Sequence, residues 1–431
     1  MRLIDSLAAT PAMADVFSDA SILQAMLDFE AALARAEART GVIPQSAADT
    51  ITRLTQAEVF DAAQLAQHSL RAGTMSIPLV KALTDRVHSA DPESAKFVHW
   101  GATSQDAADT AMVLLLRRAS AILAADHVRI LSALRRLSDR HAATVMLGRT
   151  LLQPAPPITL GLKVAGWFGA LKRSWARLEA AFAETMIVEL GGASGTLAAL
   201  DEHGMAVRAA LAEELQLQNP DAPWHTHRDR LAAVMCACGI YTGSLAKMAR
   251  DVSLLMQGEV GEAAEPGADG RGGSSTMPHK RNPTGCSLIL AAANRVPGLV
   301  ASFLFGMAQE HERGVGGWQA EWATIARVME DTSLALASMT EVAEGLSVDA
   351  SRMRANIDAT CGLIFAERAM MLLAPRIGRD AAHKLLEEAT RQAKLSDVLA
   401  EHLSPEEIQD LNIPESYLGS AETFRKQLLA P

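Results

Sequence analysis

The segment Gly272-Gly273-Ser274-Ser275-Thr276-Met277-Pro278-His279-Lys280-Arg281-Asn282-Pro283 gathers three hydroxyls, a histidine, two cations and an amide within twelve residues. Gly267, Gly270, Gly272 and Gly273 loosen the chain ahead of them. A serine whose pKa is lowered can give or take a proton, and Lys280 and Asn282 can hold an anion beside it. A glycine-hinged loop carrying such groups suits a site that must close and exclude water. A polar surface loop is the bland alternative, and the density of function-capable residues favours function.

Four other segments offer weaker signals. In Val98-His99-Trp100-Gly101-Ala102-Thr103-Ser104-Gln105-Asp106, Thr103 and Ser104 stand at the start of a long helical pattern. Unpaired backbone N–H groups and hydroxyls there suit a carboxylate, although ordinary N-capping accounts for the same residues. In Gly148-Arg149-Thr150-Leu151-Leu152-Gln153-Pro154-Ala155-Pro156-Pro157, Arg149, Thr150 and Gln153 can reach a ligand. A proline-fixed turn between helices explains that segment equally. Val188-Glu189-Leu190-Gly191-Gly192-Ala193-Ser194-Gly195-Thr196 lacks the Lys-Ser/Thr of a phosphate loop and reads as a turn with glycines at positive φ. In Gln309-Glu310-His311-Glu312-Arg313-Gly314, Arg313 is a plausible carboxylate ligand, or a cation complementing a helix dipole.

The elements that must position these residues are helical. Alanine and leucine dominate, and aromatics make up only 4%, a mix that favours helix over strand. Residues 1–20 read as irregular. Ser21 and Gln24 then form a capping-box pattern, and Gly41 and Pro44 stop the helix that follows. Shorter helices fill 45–90, broken at Gly73 and Pro78. From 105 to 147 there is neither Gly nor Pro, which predicts one helix of roughly forty residues, about 60 Å long. Comparable runs cover 158–187, 228–257, 284–312 and 318–345. Helices this long pack side by side in an extended bundle. Their apolar positions wrap around more than one face, which favours a homo-oligomer. Shorter helices return after 348, one of them over 405–411 with Ser404 as its cap. The division expected is an N-terminal helical domain (1–103), a central long-helix bundle carrying the signature loop (104–347) and a C-terminal helical domain (348–431).

Composition narrows the partners. The chain has 431 residues, 49% apolar and 21% charged, with net charge −10 and no Lys/Arg block. A nucleic-acid partner is therefore not expected, whereas a local basic pocket can still hold a small anion. No run of 18 uncharged apolar residues predicts a membrane span, and no signal peptide is read at the N-terminus. Cys236, Cys238, Cys286 and Cys361 lack zinc-site spacing, so no metal is expected and buried or half-buried free thiols in the cytoplasm are.

The signature loop resembles that of the fumarase/aspartase superfamily, and the 101–106 and 150–155 segments resemble its two other signature regions in the expected order. The resemblance implies an all-α, three-domain fold and a homotetramer whose active sites each draw on three subunits. Finer features are similar to the cycloisomerase branch acting on 3-carboxy-cis,cis-muconate: the 17–44 opening, 99–106, 310–322 with its Gly-Gly-Trp and Glu-Trp, Met353-Arg354-Ala355-Asn356, and Gly362-Leu363-Ile364. By that resemblance Ser274 donates the proton, and Lys280 and Asn282 stabilise the intermediate. Thr103, Ser104, Gln153, Ser275 and Arg313 hold the carboxylates of a small tricarboxylate, with His99 and Thr150 as further candidates. No metal or organic cofactor is implied.

One departure matters. Many superfamily lyases carry a histidine where this chain has Leu151, and some carry one where it has Pro154. Adenylosuccinate lyase, the nearest rival reading, is expected to use such histidines on its leaving nitrogen. Lactonisation needs less, because the nucleophile is a carboxylate already ionised at pH 7 and only one proton must be delivered to carbon. The same residues are also compatible with a sulfonated muconate as substrate, or with an inactive helical scaffold.

Overall fold

The computed structural model describes residues 3–267, 272–273, 276–277, 279–391 and 398–430. The helices are α1 (Pro11–Val16), α2 (Asp19–Arg39), α3 (Gln45–Arg53), α4 (Ala62–Ala72), α5 (Ser76–Ala90) and α6 (Ser104–Arg140). After the strands β1 (Val145–Thr150) and β2 (Gln153–Thr159) come α7 (Leu160–Thr185), α8 (Gly204–Leu215) and α9 (Asp229–Leu255). The short strand β3 (Ala263–Ala264), α10 (Thr284–Phe305), α11 (Gly317–Gly345) and the short strand β4 (Ser347–Val348) follow. The chain ends in α12 (Ala350–Asp358), α13 (Ala366–Ile377), α14 (Arg379–Arg391), α15 (Pro405–Leu411) and α16 (Ala421–Leu429). The architecture is all-α with two small antiparallel sheets among the described residues, β1–β2 and β3–β4.

All five expected long helices form, and α7, α9 and α11 keep their expected bounds to within two residues, because alanine and leucine sustain a buried stripe without a breaker. Differences concentrate at their ends. α6 stops at Arg140, not 147, and the chain turns into β1. α10 ends at Phe305 rather than 312, where the Gly306 N–H closes back on the Ser302 and Phe303 carbonyls. Pro78 does not break a helix; it lies in the first turn of α5, where its missing N–H costs nothing. The irregular reading of the first twenty residues fails too, since Leu3–Leu7 is a 3-10 helix and Thr10 caps α1. Ser18, not Ser21, caps α2 by accepting from the Ser21 N–H at 3.3 Å. Gln24, the expected capping-box partner, instead bonds Asp28, the Thr55 carbonyl and the Ala57 N–H. Ser404 caps α15 as expected, in a full capping box with Glu407.

The chain separates into two compact units. The first comprises Met1–His127, Ser174–Gly243 and Ala291–Ala337. In it α2 buries Leu23, Met26, Leu27, Phe29 and Leu33 and packs on α3 and α8. The second comprises Val128–Arg173, Ser244–Leu290 and Ser338–Pro431. Val145 and Leu147 of β1 there join a core with Ile357, Phe365, Leu373, Leu386 and Leu403.

The β1–β2 hairpin replaces the proline-fixed turn expected from sequence. Its register runs from Val145↔Thr159 to Thr150↔Gln153, with an irregularity between Leu147 and Gly148. Pro154, Pro156 and Pro157 are tolerated because β2 is an edge strand, free to lack N–H donors on its outer side. The two-residue tip, Leu151-Leu152, lies at φ 50° and 65°, the left-handed region demanded by a tight I′-type hairpin turn and disfavoured for leucine.

α9 and α10 are long and apolar enough to cross a membrane by length and composition alone. The apolar window of α9 is 56% buried but that of α10 only 22%, so α10 leaves apolar surface that the described residues do not cover. Cys361 is exposed, against the expectation of burial or half-burial, while Cys238 and Cys286 are buried, and none of the four cysteines is in a disulfide.

Candidate active site

In the first unit the site is built up from the start of α6. Thr103 precedes the helix, and Asp106 in its first turn reaches back to accept the Thr103 N–H at 2.9 Å. The same carboxylate accepts from Gly192 N–H at 3.0 Å, Gly191 N–H at 3.0 Å and His225 Nε2 at 2.6 Å. Four donors fill a fully buried carboxylate, as its burial demands. Gly192 must be glycine here: its φ is 69°, and a Cβ would meet the Gly101 carbonyl at 2.9 Å. One side chain thus binds the start of α6, the glycine turn and the loop ahead of α9.

Beneath lies a buried ion cluster. Arg228 donates from Nη1 and Nη2 to Asp109 at 2.7 and 3.0 Å, and from Nη2 to Glu321 at 2.6 Å. Its guanidinium lies 4.8 Å from the Trp224 ring centroid. Trp318 Nε1 donates to Asp109 at 2.9 Å, and Gln309 Nε2 to Glu321 at 2.9 Å. Burial works to lower the Arg228 pKa, but the two carboxylates outweigh it and raise it. Burial also raises Glu321, against the pull of Arg228. Glu189 is pushed well above the carboxylate range by burial and by the Asp106 and Asp109 charges. Asp106, Glu189 and His225 have the spacing of metal ligands, yet Asp106 is satisfied by the four donors above, one of them His225 itself.

On this base stand the expected carboxylate ligands. Thr103 and Ser104 hydroxyls have no hydrogen-bond partner among the described residues and are half-buried. Arg313 is half-buried and donates to Gln105 Oε1 at 3.0 Å, the Ala193 carbonyl at 2.9 Å and the Gly192 carbonyl at 3.3 Å. Every one of these acceptors is neutral. No carboxylate among the described residues pairs with Arg313, so its charge is held in place and left uncompensated. His99, at φ 60°, gives Nδ1 to buried Glu30 at 2.7 Å. Burial works to lower its pKa, but the charge and hydrogen bond of Glu30, with Asp106 beyond, raise it.

The second unit holds the other candidates at exposed ends. Thr150 and Gln153 pair across the hairpin tip, whose Leu151 and Leu152 are 97% and 72% exposed. Arg149 is tied to buried Glu262 at 2.6 and 2.9 Å, with Asn356 on the same carboxylate at 2.7 Å, so it serves the hairpin rather than a ligand. Lys280 is exposed. Asn282 closes the neck of the loop, its N–H on the Gly272 carbonyl at 2.8 Å and its amide 3.5 Å from the Gly273 carbonyl. Glu265 accepts the Gly285 and Cys286 N–H groups at 2.8 and 2.7 Å, anchoring the start of α10 just beyond. Ser274 and Ser275 lie outside the described residues.

The structure therefore brings Thr103, Ser104, His99 and Arg313 onto one platform. Sequence reasoning passed over what supports them: Glu30, Asp109, Glu189, His225, Arg228 and Glu321. The glycine turn at 191–193, read only as a turn, supplies two donors to Asp106 and two carbonyls to Arg313.

Comparison with known proteins bears on the family. A protein family described as lyases matches residues 6–298. The 3-carboxy-cis,cis-muconate cycloisomerase of Bradyrhizobium diazoefficiens is 48% identical, with 99% of this chain and 97% of that protein aligned. The crystal structure of 3-carboxy-cis,cis-muconate lactonizing enzyme from Pseudomonas putida superposes with TM-score 0.93 at 46% identity, covering 100% of this chain and 98% of the other. A class II fumarase from Schistosoma mansoni shares the fold at TM-score 0.78 and 17% identity, over 97% of both chains.

Proposed function

We propose that this chain, which belongs to the fumarase/aspartase superfamily of lyases, is a cycloisomerase that closes 3-carboxy-cis,cis-muconate to 4-carboxymuconolactone. One substrate carboxylate oxygen attacks the carbon β to another carboxylate and forms the ring C–O bond. The double-bond electrons pass into that second carboxylate, giving an aci-carboxylate. A proton delivered to the α carbon restores the carboxylate. Nothing leaves, so substrate and product are isomers, and the electron sink is the substrate itself, which calls for no metal or organic cofactor.

In this reading Ser274 supplies the proton, and Lys280 and Asn282 stabilise the charge that develops, an interaction strongest where donors are already oriented. Thr103, Ser104 and Arg313, with Gln153, Ser275, His99 and Thr150, hold the three carboxylates. The near-half identity to cycloisomerases along the whole chain supports the choice of reaction. The observation that carries it lies in the hairpin: Leu151, 97% exposed at the tip, stands where many superfamily lyases carry an acid–base histidine, and Pro154 where some carry one. A homotetramer with shared active sites fits the uncovered face of α10 and this bare tip, and four cysteines outside any disulfide fit a cytoplasmic enzyme.

The test is the product. Wild-type protein given 3-carboxy-cis,cis-muconate should bleach the conjugated diene and yield a lactone by NMR, while adenylosuccinate should stay intact. Release of fumarate from adenylosuccinate, or a product other than a lactone, overturns the reading.

A further inference from the structure

Gln105 is buried between two charges of opposite sign. Its Nε2 donates to Asp109 Oδ2 at 3.0 Å and to the His225 carbonyl at 2.8 Å. Both partners are pure acceptors, so the amide has one chemically sensible orientation. Its Oε1 must face the other way, and there it accepts from Arg313 Nη1 at 3.0 Å. Asp109 is also held by Arg228, which shares Oδ2 with Gln105 and reaches Oδ1, and by Trp318 at Oδ1.

From this geometry we infer that Gln105 is a positioning residue: a neutral bridge that aims the Arg313 guanidinium and keeps the Asp109 carboxylate from neutralising it. A carboxylate in its place would pair with Arg313 directly, and Arg228 would keep Asp109 whether or not Gln105 were there. A residue with no amide to bridge them, such as alanine, would free Arg313 to bend toward Asp109. Either change spends inside the protein the charge that otherwise meets an anion. The glycine turn repeats the logic from the other side, since the Gly192 and Ala193 carbonyls orient Arg313 without cancelling it. The ligand class follows: a carboxylate or another oxyanion able to take the guanidinium N–H groups that Gln105, Gly192 and Ala193 leave unused.

The inference rests on the proposed reading only in naming 3-carboxymuconate as the anion that Arg313 meets. Gln105→Glu keeps the size of the side chain and removes the neutrality. It should raise KM for 3-carboxymuconate by about tenfold or more, the worth of one charge-assisted hydrogen-bonded contact, with kcat within about twofold. Gln105→Asn, neutral but shorter, should recover much of the loss. In an Arg313→Met background, Gln105→Glu should add almost nothing, because its effect travels through the missing guanidinium. Equal effects in both backgrounds, or an unchanged KM in Gln105→Glu, overturn the inference. The affinity for tricarballylate, read by calorimetry on four of these proteins (wild type, Gln105→Glu, Arg313→Met and the double variant), separates the two ideas. If the wild type binds tricarballylate and Gln105→Glu does not, yet 3-carboxymuconate is not turned over, the proposed substrate is wrong and the role of Gln105 stands. If all four bind it equally, the role of Gln105 falls.

Discussion

The platform of the first unit and the exposed arms of the second handle polar groups in opposite ways. Around α6, Arg228 has two carboxylates, Asp106 has four donors, and the uncompensated charge of Arg313 is fixed by three neutral acceptors. In the second unit Lys280 is exposed and the hairpin ends in two solvent-facing leucines at positive φ. The platform is preorganised before any ligand arrives. The arms carry groups whose own unit gives them little to rest on. Donors already in place suit the binding of charge, because they need not reorganise when it arrives.

Variants of the arms should damage chemistry most and stability least. Ser274→Ala should cut kcat by about 10²–10⁴-fold if Ser274 is the proton donor, and Lys280→Met should cut kcat/KM by about 10²–10³-fold. Both should keep the circular dichroism and the melting transition of the wild type. Near-normal turnover of 3-carboxymuconate by either variant removes that residue from the chemistry.

The platform should behave in reverse. Arg228→Leu leaves Asp109 and Glu321 buried without their cation, and should destabilise the chain by about 3–5 kcal/mol in urea unfolding. A loss below about 1 kcal/mol, the range of an exposed pair, would show that the cluster is hydrated and that the platform is not the rigid half of the molecule.

One carboxyl on the platform side has no counter-charge among the described residues. Both oxygens of Glu37 on α2 are buried without a hydrogen bond, and burial, with the charge of Glu30 one heptad earlier, pushes its pKa to about 9. The folded chain therefore holds a proton that the unfolded chain releases near its ordinary pKa. That contribution is complete below about pH 4.5 and is lost as pH rises toward 9. Glu37→Gln, which cannot ionise, should gain on the wild type by about 2–3 kcal/mol between pH 6 and pH 8. A constant gap across that range would mean that Glu37 is ionised and solvated in the folded chain.

How far the sequence foretold this contrast depends on which interactions are local. The long helices were legible because alanine and leucine periodicity is a property of neighbours along the chain. Thr103, Ser104 and Arg313 were legible as types at segment ends, and the structure gathers them with His99. Arg228, Asp109 and Glu321 were not, because a charge on a helix looks the same in sequence whether water or a distant carboxylate receives it. The hairpin was hidden for a different reason. Gly148 and three prolines read as breakers, and Leu151-Leu152 carries none of the Asn or Gly that marks a tight hairpin turn.

That missing signal gives the smallest prediction and the most direct probe of the arms. Two leucines in the left-handed region cost about 1 kcal/mol each, and Asn-Gly would fit the same turn with little strain. Gly recovers less than that difference, because it loses more chain entropy on folding. Leu151→Asn with Leu152→Gly should therefore raise stability in urea by about 1 kcal/mol. If the strained apolar tip works only as part of a site completed by other copies, the same double variant should lower kcat/KM and weaken the proposed tetramer at high dilution. Stability gained with activity lost is what strain retained for function predicts. Stability gained with kcat/KM and tetramer unchanged would leave the tip without a role, and the contrast between platform and arms would then rest on the signature loop alone.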